Sequence, residues 1–203
     1  MGIKERKKRE KENTRRLILE AAVRLFLNEG FEKVTMRRIA EEIEYSPATL
    51  YLYYKDKNEI LHALYNEGFE ELYTRQKTIV SIEDPIARLR RHAEIYISFA
   101  LEFPELYDLM FMMKAPLKGV KAAEEEDVGI RSYGLLRQNI KDCMDAGYFK
   151  GSEEETVSLA MWSFVHGMAS LIIRQRPGMM PEENMKAIIN KAIDFIISTA
   201  QKR

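Results

Sequence analysis

Two stretches decide the fold of this chain: Val34-Thr35-Met36-Arg37-Arg38-Ile39-Ala40 and Ser46-Pro47-Ala48-Thr49-Leu50-Tyr51. Thr35 is a preferred N-cap residue, and Ser46 followed by Pro47 is a typical start of a helix. Each stretch therefore predicts a short helix, and only residues 44–46 form the turn between them. Two short helices joined in this way, after a longer amphipathic helix, are typical of a helix-turn-helix that places its second helix in the major groove of DNA.

The rest of the chain also predicts helices, because apolar residues recur at intervals of three and four while Gly and Pro stand between the periodic segments. We expect an all-α fold without strands, in which the first helix covers residues 14–29 and ends at Gly30 in a left-handed C-cap. The third helix should end near residue 54, and the connections at 115–125 and 176–180 are expected to be mobile. Further helices are predicted from these starts: Asp56 with Glu59 (running to about residue 80), Asp84 with Pro85, Pro104, residue 126 (ending at Gly147), Ser152 with Glu155, and Pro181.

Length, cysteine content and the amino terminus limit the class of protein. With 203 residues, the chain can form one large helical domain, or a small module and a larger one, with a core that needs no disulfide. Cys143 is the single cysteine, and the charged first residues contain no apolar segment of signal-peptide length. Apolar runs such as residues 109–113 are much shorter than the roughly 20 residues that span a membrane. We therefore expect a soluble protein in the reducing cytoplasm.

Charge is unevenly distributed, although the whole chain carries equal numbers of basic and acidic residues. Residues 1–57 hold fourteen lysines and arginines against ten acidic residues, a net charge of +4, which leaves −4 for the remainder. A basic amino-terminal head on an acidic body is typical of a DNA-binding module attached to a sensing domain. The basic run at 4–11 predicts either an arm that reaches into the minor groove or a solvated tail, because Glu5 and Glu10 interrupt it.

The first quarter of the chain resembles the tetracycline-repressor (TetR) family of transcriptional regulators. The resemblance rests on residues 14–61, which include Gly30-Phe31, Thr35-Met36-Arg37-Arg38-Ile39-Ala40 and Ser46-Pro47-Ala48-Thr49-Leu50-Tyr51. Trp162, His166 and Gly167 also stand in a pattern similar to that of a C-terminal (WHG) domain found in some members. The resemblance implies a DNA-binding domain at residues 1–57 and a helical ligand-binding and dimerisation domain at residues 58–203.

The recognition helix and the starts of its neighbours supply the candidate DNA contacts. Leu50 and Tyr54, four residues apart, should face the core and leave the opposite side of the third helix toward DNA. No outward residue is charged, so bases would be recognised by hydroxyl groups and by apolar contact with thymine methyl groups. The resemblance implies backbone contacts from Thr49 and Tyr51, base recognition mainly by residues 47, 48, 52 and 53, and phosphate binding at the starts of the second and fourth helices. The candidate DNA-binding residues are Thr35, Arg37, Pro47, Ala48, Thr49, Tyr51, Leu52, Tyr53 and Lys57.

The turn of the helix-turn-helix departs from the family pattern at two positions. The family usually has glycine where Glu44 stands, and often a β-branched residue where Tyr45 stands. We expect a left-handed backbone at Glu44, which costs a residue other than glycine about 1–2 kcal/mol.

The body is rich in methionine and aromatic residues, which line either a packed core or a pocket for apolar ligands. His166 follows Trp162 by four residues and is interpreted either as a structural, hydrogen-bonded histidine or as a ligand contact. No histidines or cysteines have metal-like spacing and no Ser-His-Asp arrangement is identifiable, so we expect no metal, no cofactor and no enzymatic activity. The candidate ligand-binding residues are Tyr96, Phe99, Phe103, Met110, Phe111, Met144, Trp162 and His166.

The last two helices carry apolar stripes that are too broad for one chain to bury, which predicts a homodimer with a four-helix interface. The candidate interface residues are Leu159, Val165, Ile189, Ile193 and Ile196. The expected function is a repressor that leaves a palindromic operator when a small apolar or aromatic molecule binds the body. The alternatives are a ligand-blind repressor, a helical carrier of apolar ligands without a DNA partner, and a plain three-helix core in place of the DNA head.

Overall fold

The computed structural model describes residues 2–113, 127–174 and 184–200. Within these ranges it contains nine α-helices and no β-strand, which confirms the predicted all-α class. The predicted connections at 115–125 and 176–180 and the predicted helix start at Pro181 lie outside the described residues. The helices are α1 (Ile3–Glu29), α2 (Met36–Glu42), α3 (Pro47–Tyr51), α4 (Lys57–Lys77), α5 (Pro85–Glu102), α6 (Pro104–Phe111), α7 (Val128–Asp145), α8 (Glu154–Ile173) and α9 (Met185–Ser198).

The chain divides into two compact units, and the division differs from the predicted boundary at residue 57. The first unit consists of Met1–Gly68 and Glu105–Lys121, and the second of Phe69–Pro104 and Ala122–Arg203. The first half of α4 belongs with α1–α3 because Ile60, Leu61 and Leu64 are buried in the core of the first unit.

The first unit is built around a buried cluster to which α1, α2, α3 and α4 all contribute. Ile18 of α1, Ile39 of α2 and Leu50 of α3 have no exposed side-chain surface. Gly30 follows the last residue of α1, as predicted, and its N–H donates to the Phe26 carbonyl oxygen at 3.1 Å. Its φ of +83° is positive, but its ψ of 140° lies outside the left-handed helical region expected of the cap. Glu44 has a φ of +58°, so the left-handed backbone expected in the turn is present.

Three helices begin with the side-chain caps that the sequence predicts. Thr35, Ser46 and Asp84 accept hydrogen bonds from main-chain N–H groups two or three residues further on, at 3.1, 3.2 and 3.1 Å. At the start of α4, Asp56 Oδ1 accepts from the Glu59 N–H at 3.0 Å, whereas the Glu59 carboxylate accepts from the Lys55 N–H and not from that of Asp56. These caps satisfy N–H groups that have no partner inside the helix.

Several helix boundaries differ from the prediction. α1 begins at Ile3 and not at Thr14, since charged side chains at four-residue spacing, such as Arg6 and Glu10, support the extra helical turns. α3 ends at Tyr51 and α4 at Lys77, each about three residues earlier than predicted. α8 is preceded by Glu153 and not by a Ser152 cap, and no side-chain capping bond is present there.

The second unit packs α5 against α7, α8 and α9. Phe99 of α5, Ile140 of α7 and Ile193 of α9 are fully buried in it. A polar group also lies inside this unit: Gln76 Nε2 and His92 Nε2 are 2.9 Å apart, and the Ser132 hydroxyl donates to Gln76 Oε1 at 2.7 Å. Hydrogen bonds among the three residues offset the cost of burying them.

α8 corrects the expectation that no apolar segment approaches the length of a membrane span. Its 20 residues have a mean hydropathy of 1.5 over the most apolar window, enough by length and composition to cross a membrane. Only 22% of that window is buried inside the chain, although Val157, Met161 and Val165 pack inward. Length and composition alone are weak evidence for a membrane span, because apolar helices that pack against protein have the same properties.

Candidate nucleic-acid interface and effector site

The recognition helix α3 has the two faces that the sequence predicts. Leu50 and Tyr54 point into the core, where 0% and 2% of their surface is exposed. Tyr51 and Leu52, by contrast, are 56% and 78% exposed. Leu52 follows the last residue of α3, and a partner that buried its side chain fully would gain about 1.5–3 kcal/mol. The candidate contact surface is therefore the outer face of α3, which we define as Pro47, Ala48 and Tyr51 together with the C-cap residue Leu52.

Two of the predicted DNA contacts on α3 also have partners inside the chain. The Thr49 hydroxyl lies 2.9 Å from the Ser46 hydroxyl, so it helps to hold the start of the helix. Tyr53 is half-buried and packs against the core of the first unit. Thr49 and Tyr53 therefore present less free surface to a partner than Ala48 and Leu52 do.

The start of α2 presents an exposed polar edge. Thr35 caps the helix through its side chain, and the exposed guanidinium of Arg37 pairs with Glu41 at 2.9 Å. Main-chain N–H groups in the first turn of a helix and a nearby cation form a suitable environment for a phosphate. Thr35 and Arg37 therefore stay candidates for a phosphate contact.

The Lys57 side chain is engaged within the first unit. Its Nζ donates to the carbonyl oxygens of Phe31, Glu32 and Val34 at 2.7, 3.2 and 3.1 Å, and lies 4.4 Å from the centroid of the Phe31 ring. Three acceptors use the three donors of an ammonium group. The side chain thus ties the start of α4 to the loop before α2, and only the main-chain N–H of Lys57 is left for a phosphate.

One contact beside the recognition helix was missed by the sequence analysis. Arg15 Nε donates to the Tyr54 hydroxyl at 3.4 Å, and the guanidinium carbon lies 5.3 Å from the centre of the Tyr54 ring. The sequence did contain a signal for this contact. Arg15 precedes Ile18 by three residues, so it lies on the same face of α1 as Ile18, which is buried in the core. The contact links α1 to the end of the recognition helix.

Three of the eight candidate ligand residues form a hydrogen-bonded aromatic cluster in the second unit. Trp162 Nε1 donates to the Tyr96 hydroxyl at 3.2 Å, and that hydroxyl lies 3.1 Å from His166 Nδ1. Partial burial lowers the pKa of His166, so the neutral imidazole is favoured. The interpretation of His166 as a hydrogen-bonded structural histidine is supported, and Tyr133, whose ring lies 5.5 Å from that of Trp162, extends the cluster.

The other five candidates are dispersed. Phe99 and Phe103 pair with each other at 5.6 Å, and Met144 packs against the cluster around Ile140. Met110 and Phe111 belong to the first unit. The other six candidates belong to the second unit. Spacing along a helix predicts a shared face but not which unit that face packs into.

The second unit also contains a cleft that the sequence did not indicate. Its lining includes the buried Gln76 and His92, the ion pair of Arg88 with Asp142, and the exposed Val80. Burial beside Arg88 lowers the pKa of His92 to about 4. The cleft has a volume of about 70 Å³, well below the roughly 300 Å³ of a typical ligand pocket.

The candidate dimer residues differ in their accessibility. Val165, Ile189 and Ile193 are buried within one chain, and Ile196 packs against the core of the second unit. Val165, Ile189 and Ile193 therefore contribute to the core of their own chain, whereas Ile196 is only partly buried. Leu159 and Leu171 of α8 and Phe195 of α9 are instead exposed, Phe195 by 71%.

Across the described ranges, no group of three or more His, Cys, Asp or Glu residues is arranged to hold a metal ion. Burial raises the pKa of the Cys143 thiol to about 12, and its Sγ lies 3.3 Å from the Pro85 carbonyl oxygen. The thiol therefore stays protonated near neutral pH and is a poor nucleophile.

A helix-turn-helix with an exposed, uncharged recognition face, followed by a helical second unit, defines a DNA-binding regulator. Comparison with protein families agrees: the model for bacterial regulatory proteins of the tetR family matches residues 18–64. The model for a tetracyclin repressor-like C-terminal domain matches residues 89–196, more than half of the chain. The chain belongs to the TetR family of transcriptional regulators.

Curated relatives are transcriptional regulators as well. The chain is 25% identical over 161 residues to the regulator HbdR of Aromatoleum sp. (strain CIB), a match that covers 78% of this chain and 69% of HbdR. A regulator of Staphylococcus aureus (strain USA300) is 38% identical over 69 residues, which are 34% of this chain and 37% of that protein.

Solved structures share the fold over nearly the whole chain. A TetR family regulator from Marinobacter aquaeolei VT8 has a TM-score of 0.74 at 21% identity and covers 98% of this chain and 100% of its own. AibR, solved with isovaleryl coenzyme A and operator DNA, has a TM-score of 0.73 at 19% identity, covering 91% of this chain and 96% of its own.

Proposed function

We propose that this protein is a homodimeric repressor in the cytoplasm that leaves a palindromic operator when a small apolar or aromatic molecule binds its second unit. The observation that carries the DNA-binding part is the outer face of α3, where Tyr51 and Leu52 are exposed while Leu50 is fully buried. Leu52 and Ala48 fit contacts with thymine methyl groups, and the Tyr51 hydroxyl can bond a base edge or a phosphate.

Dimerisation is supported by apolar surface that one chain leaves exposed on α8 and α9. Leu159 and Leu171 lie on one side of α8, with the small residues Ser163 and Gly167 between them. A Cβ added at Gly167 would meet no atom within 4 Å, so this side of the helix is open. Two copies of such a helix can approach closely, and Phe195 of α9 extends the same kind of surface.

The effector is proposed to bind beside the cluster formed by Tyr96, Trp162 and His166. Aromatic rings with a few hydrogen-bonding groups are the usual lining of small-molecule sites. AibR, which shares the fold, was solved with isovaleryl coenzyme A, so acyl thioesters belong among the compounds tested. Binding would shift α4, which joins the two units, and so alter the distance between the two DNA heads.

The effector proposal can be tested by measuring the affinity of the protein for its operator by fluorescence anisotropy, with and without aromatic compounds, fatty acids and acyl thioesters. At least one compound should weaken binding tenfold or more. Tyr96→Phe, which removes the hydroxyl that bonds Trp162 and His166, should reduce that response and leave ligand-free affinity unchanged. An unchanged affinity across all compounds would contradict the effector proposal.

A ligand-blind repressor is the second candidate, and the cleft beside His92 is too small to argue against it. The space beside His92 holds about 70 Å³, too little for a typical ligand. The same titration distinguishes the two candidates. A ligand-blind repressor binds its operator equally well with every compound, whereas a ligand-responsive repressor binds more weakly with at least one of them.

A further inference from the structure

The first eleven residues of α1 form an exposed helical extension of the first unit. Residues 4–13 are all exposed, and Thr14 is the first buried residue of the helix. Ile3–Asn13 therefore project about 16 Å beyond the core, at 1.5 Å per residue. We call this segment the α1 extension.

One side of the α1 extension carries a row of basic residues. Lys4, Lys7 and Lys11 are separated by three and four residues, so they share a face with Arg15, which follows Lys11 by four. The four residues fall within about 80° of the circumference of a helix with 3.6 residues per turn. The same face becomes the buried face of α1 further along, at Ile18.

The lysines of this face are free to bind an anion. Lys4, Lys7 and Lys11 form no ion pair with any residue in the described ranges, whereas Arg6 pairs with Glu10 at 3.0 Å and Lys8 lies 3.8 Å from Glu12. Like charges three and four residues apart repel each other along a helix. A polyanion that lies along the face would relieve this repulsion.

Arg15 fixes where the basic face points. Its guanidinium packs on the Tyr54 ring and bonds the Tyr54 hydroxyl, so the face lies on the side of the first unit where the recognition helix ends. A helix-turn-helix places its recognition helix in the major groove, and DNA phosphates line both edges of that groove. Phosphates next to the end of α3 would then lie beside Lys4, Lys7 and Lys11.

We infer that the α1 extension is a rigid clamp for the DNA backbone, which binds phosphates flanking each half-site through Lys4, Lys7 and Lys11. This inference rests on the proposed operator binding. The segment is helical and its basic groups lie on one face, which suits a row of phosphates better than the narrow minor groove that an extended arm enters. Ile3 is the one large apolar residue between residues 2 and 13, so the segment has no apolar face with which to bind a membrane.

The experiment compares two duplexes that carry the selected operator palindrome, one ending at the palindrome and one with about ten further base pairs on each side. The wild-type chain should bind the longer duplex at least tenfold more tightly, and Lys4→Gln/Lys7→Gln/Lys11→Gln should abolish this gain. The slope of log affinity against log salt should fall in magnitude by about 0.9 for each phosphate that the variant no longer binds, or up to about 5 for a dimer. Glutamine keeps the helix propensity of lysine, and circular dichroism checks that the helix persists.

The matched control is Arg6→Gln/Arg9→Gln/Arg16→Gln, which removes the same charge from other faces of α1. This control variant should still bind the longer duplex more tightly than the shorter one, and it should keep most of the slope of log affinity against log salt. An equal loss in both triple variants would show an effect of net charge and overturn the clamp. An affinity that depends on whether the flanking base pairs are A·T or G·C would indicate recognition in the minor groove and would also overturn the clamp. A wild-type chain that binds neither duplex would instead contradict the proposed function itself.

Discussion

Lys57 illustrates how much of a residue's role depends on contacts far along the chain. It stands at the start of α4, where the family resemblance implies a phosphate contact, but its ammonium group bonds three carbonyl oxygens of the loop before α2. Spacing within α4 carries no information about residues 31–34, so this role was not predictable from the sequence. The N-caps Thr35 and Ser46, in contrast, were predicted because they depend only on neighbours in sequence.

Lys57→Met should therefore destabilise the DNA-free protein. Methionine keeps most of the apolar stem but leaves the three carbonyl oxygens without a donor, at a cost of about 1–3 kcal/mol. Urea unfolding measures the change, and Lys55→Met, at an exposed neighbour, is the control with an expected change near zero. Equal stability of Lys57→Met and wild type would mean that the carbonyl contacts contribute nothing.

Glu44 holds a left-handed backbone that glycine adopts without strain. Glu44→Gly should raise the free energy of unfolding by about 1 kcal/mol, since the relief of strain exceeds the added entropy of the unfolded chain. Glu44→Ala should show no such gain, because alanine is strained at the same φ. A glycine variant that is no more stable than the alanine variant would refute the strain argument.

His92 should make the stability of the second unit dependent on pH. Its pKa falls from 6.5 to about 4 in the folded state, so the unfolded chain binds more protons between these values. Stability is complete above pH 6.5 and is lost as the pH falls toward 4, by about 2 kcal/mol between pH 7 and pH 5. Urea unfolding at the two pH values measures this loss. His92→Gln should reduce it, while the control His62→Gln should not. If the wild-type chain is equally stable at both pH values, the lowered pKa of His92 is contradicted.

At the scale of helices, the sequence predicted which segments are helical better than it predicted where each helix ends or what each helix packs against. Periodic apolar residues and caps located every helix that the structure describes, because both signals are local. The start of α1 was placed eleven residues too late, since a charged segment gives no apolar period to follow. The apolar stripes of α8 and α9 were visible too, but periodicity does not tell which part of a stripe packs within the chain, as Ile193 does, and which part stays exposed.

The exposed parts of α8 and α9 predict how a dimer can be disrupted. Phe195→Glu places a charge in the proposed interface and should give monomers with an unchanged helix content, because Phe195 is 71% exposed in the single chain. Ile130→Glu, at an exposed residue of α7, should leave the dimer intact. Ile193→Glu should instead unfold the second unit, since Ile193 is fully buried. Light scattering that finds Phe195→Glu still dimeric would place the interface elsewhere.

At the scale of the whole molecule, the proposed regulator joins a DNA-binding unit to a ligand-binding unit in one chain. If an effector weakens operator binding tenfold, operator DNA must weaken effector binding tenfold as well, about 1.4 kcal/mol in either direction. The family and the fold could be predicted from the sequence, because the residues of the helix-turn-helix match a known family pattern. The effector does not follow, because the site proposed for it is assembled from residues far apart in sequence, such as Tyr96 and His166.

The central claim is that the outer face of α3 recognises a palindromic operator, and selection of binders from a pool of random duplexes tests it most directly. We expect enrichment of an inverted repeat with half-sites about one helical turn apart. Leu52→Ala should bind the enriched sequence with discrimination reduced by about 1–3 kcal/mol at particular base pairs. A pool from which the wild-type chain enriches no inverted repeat would contradict the claim.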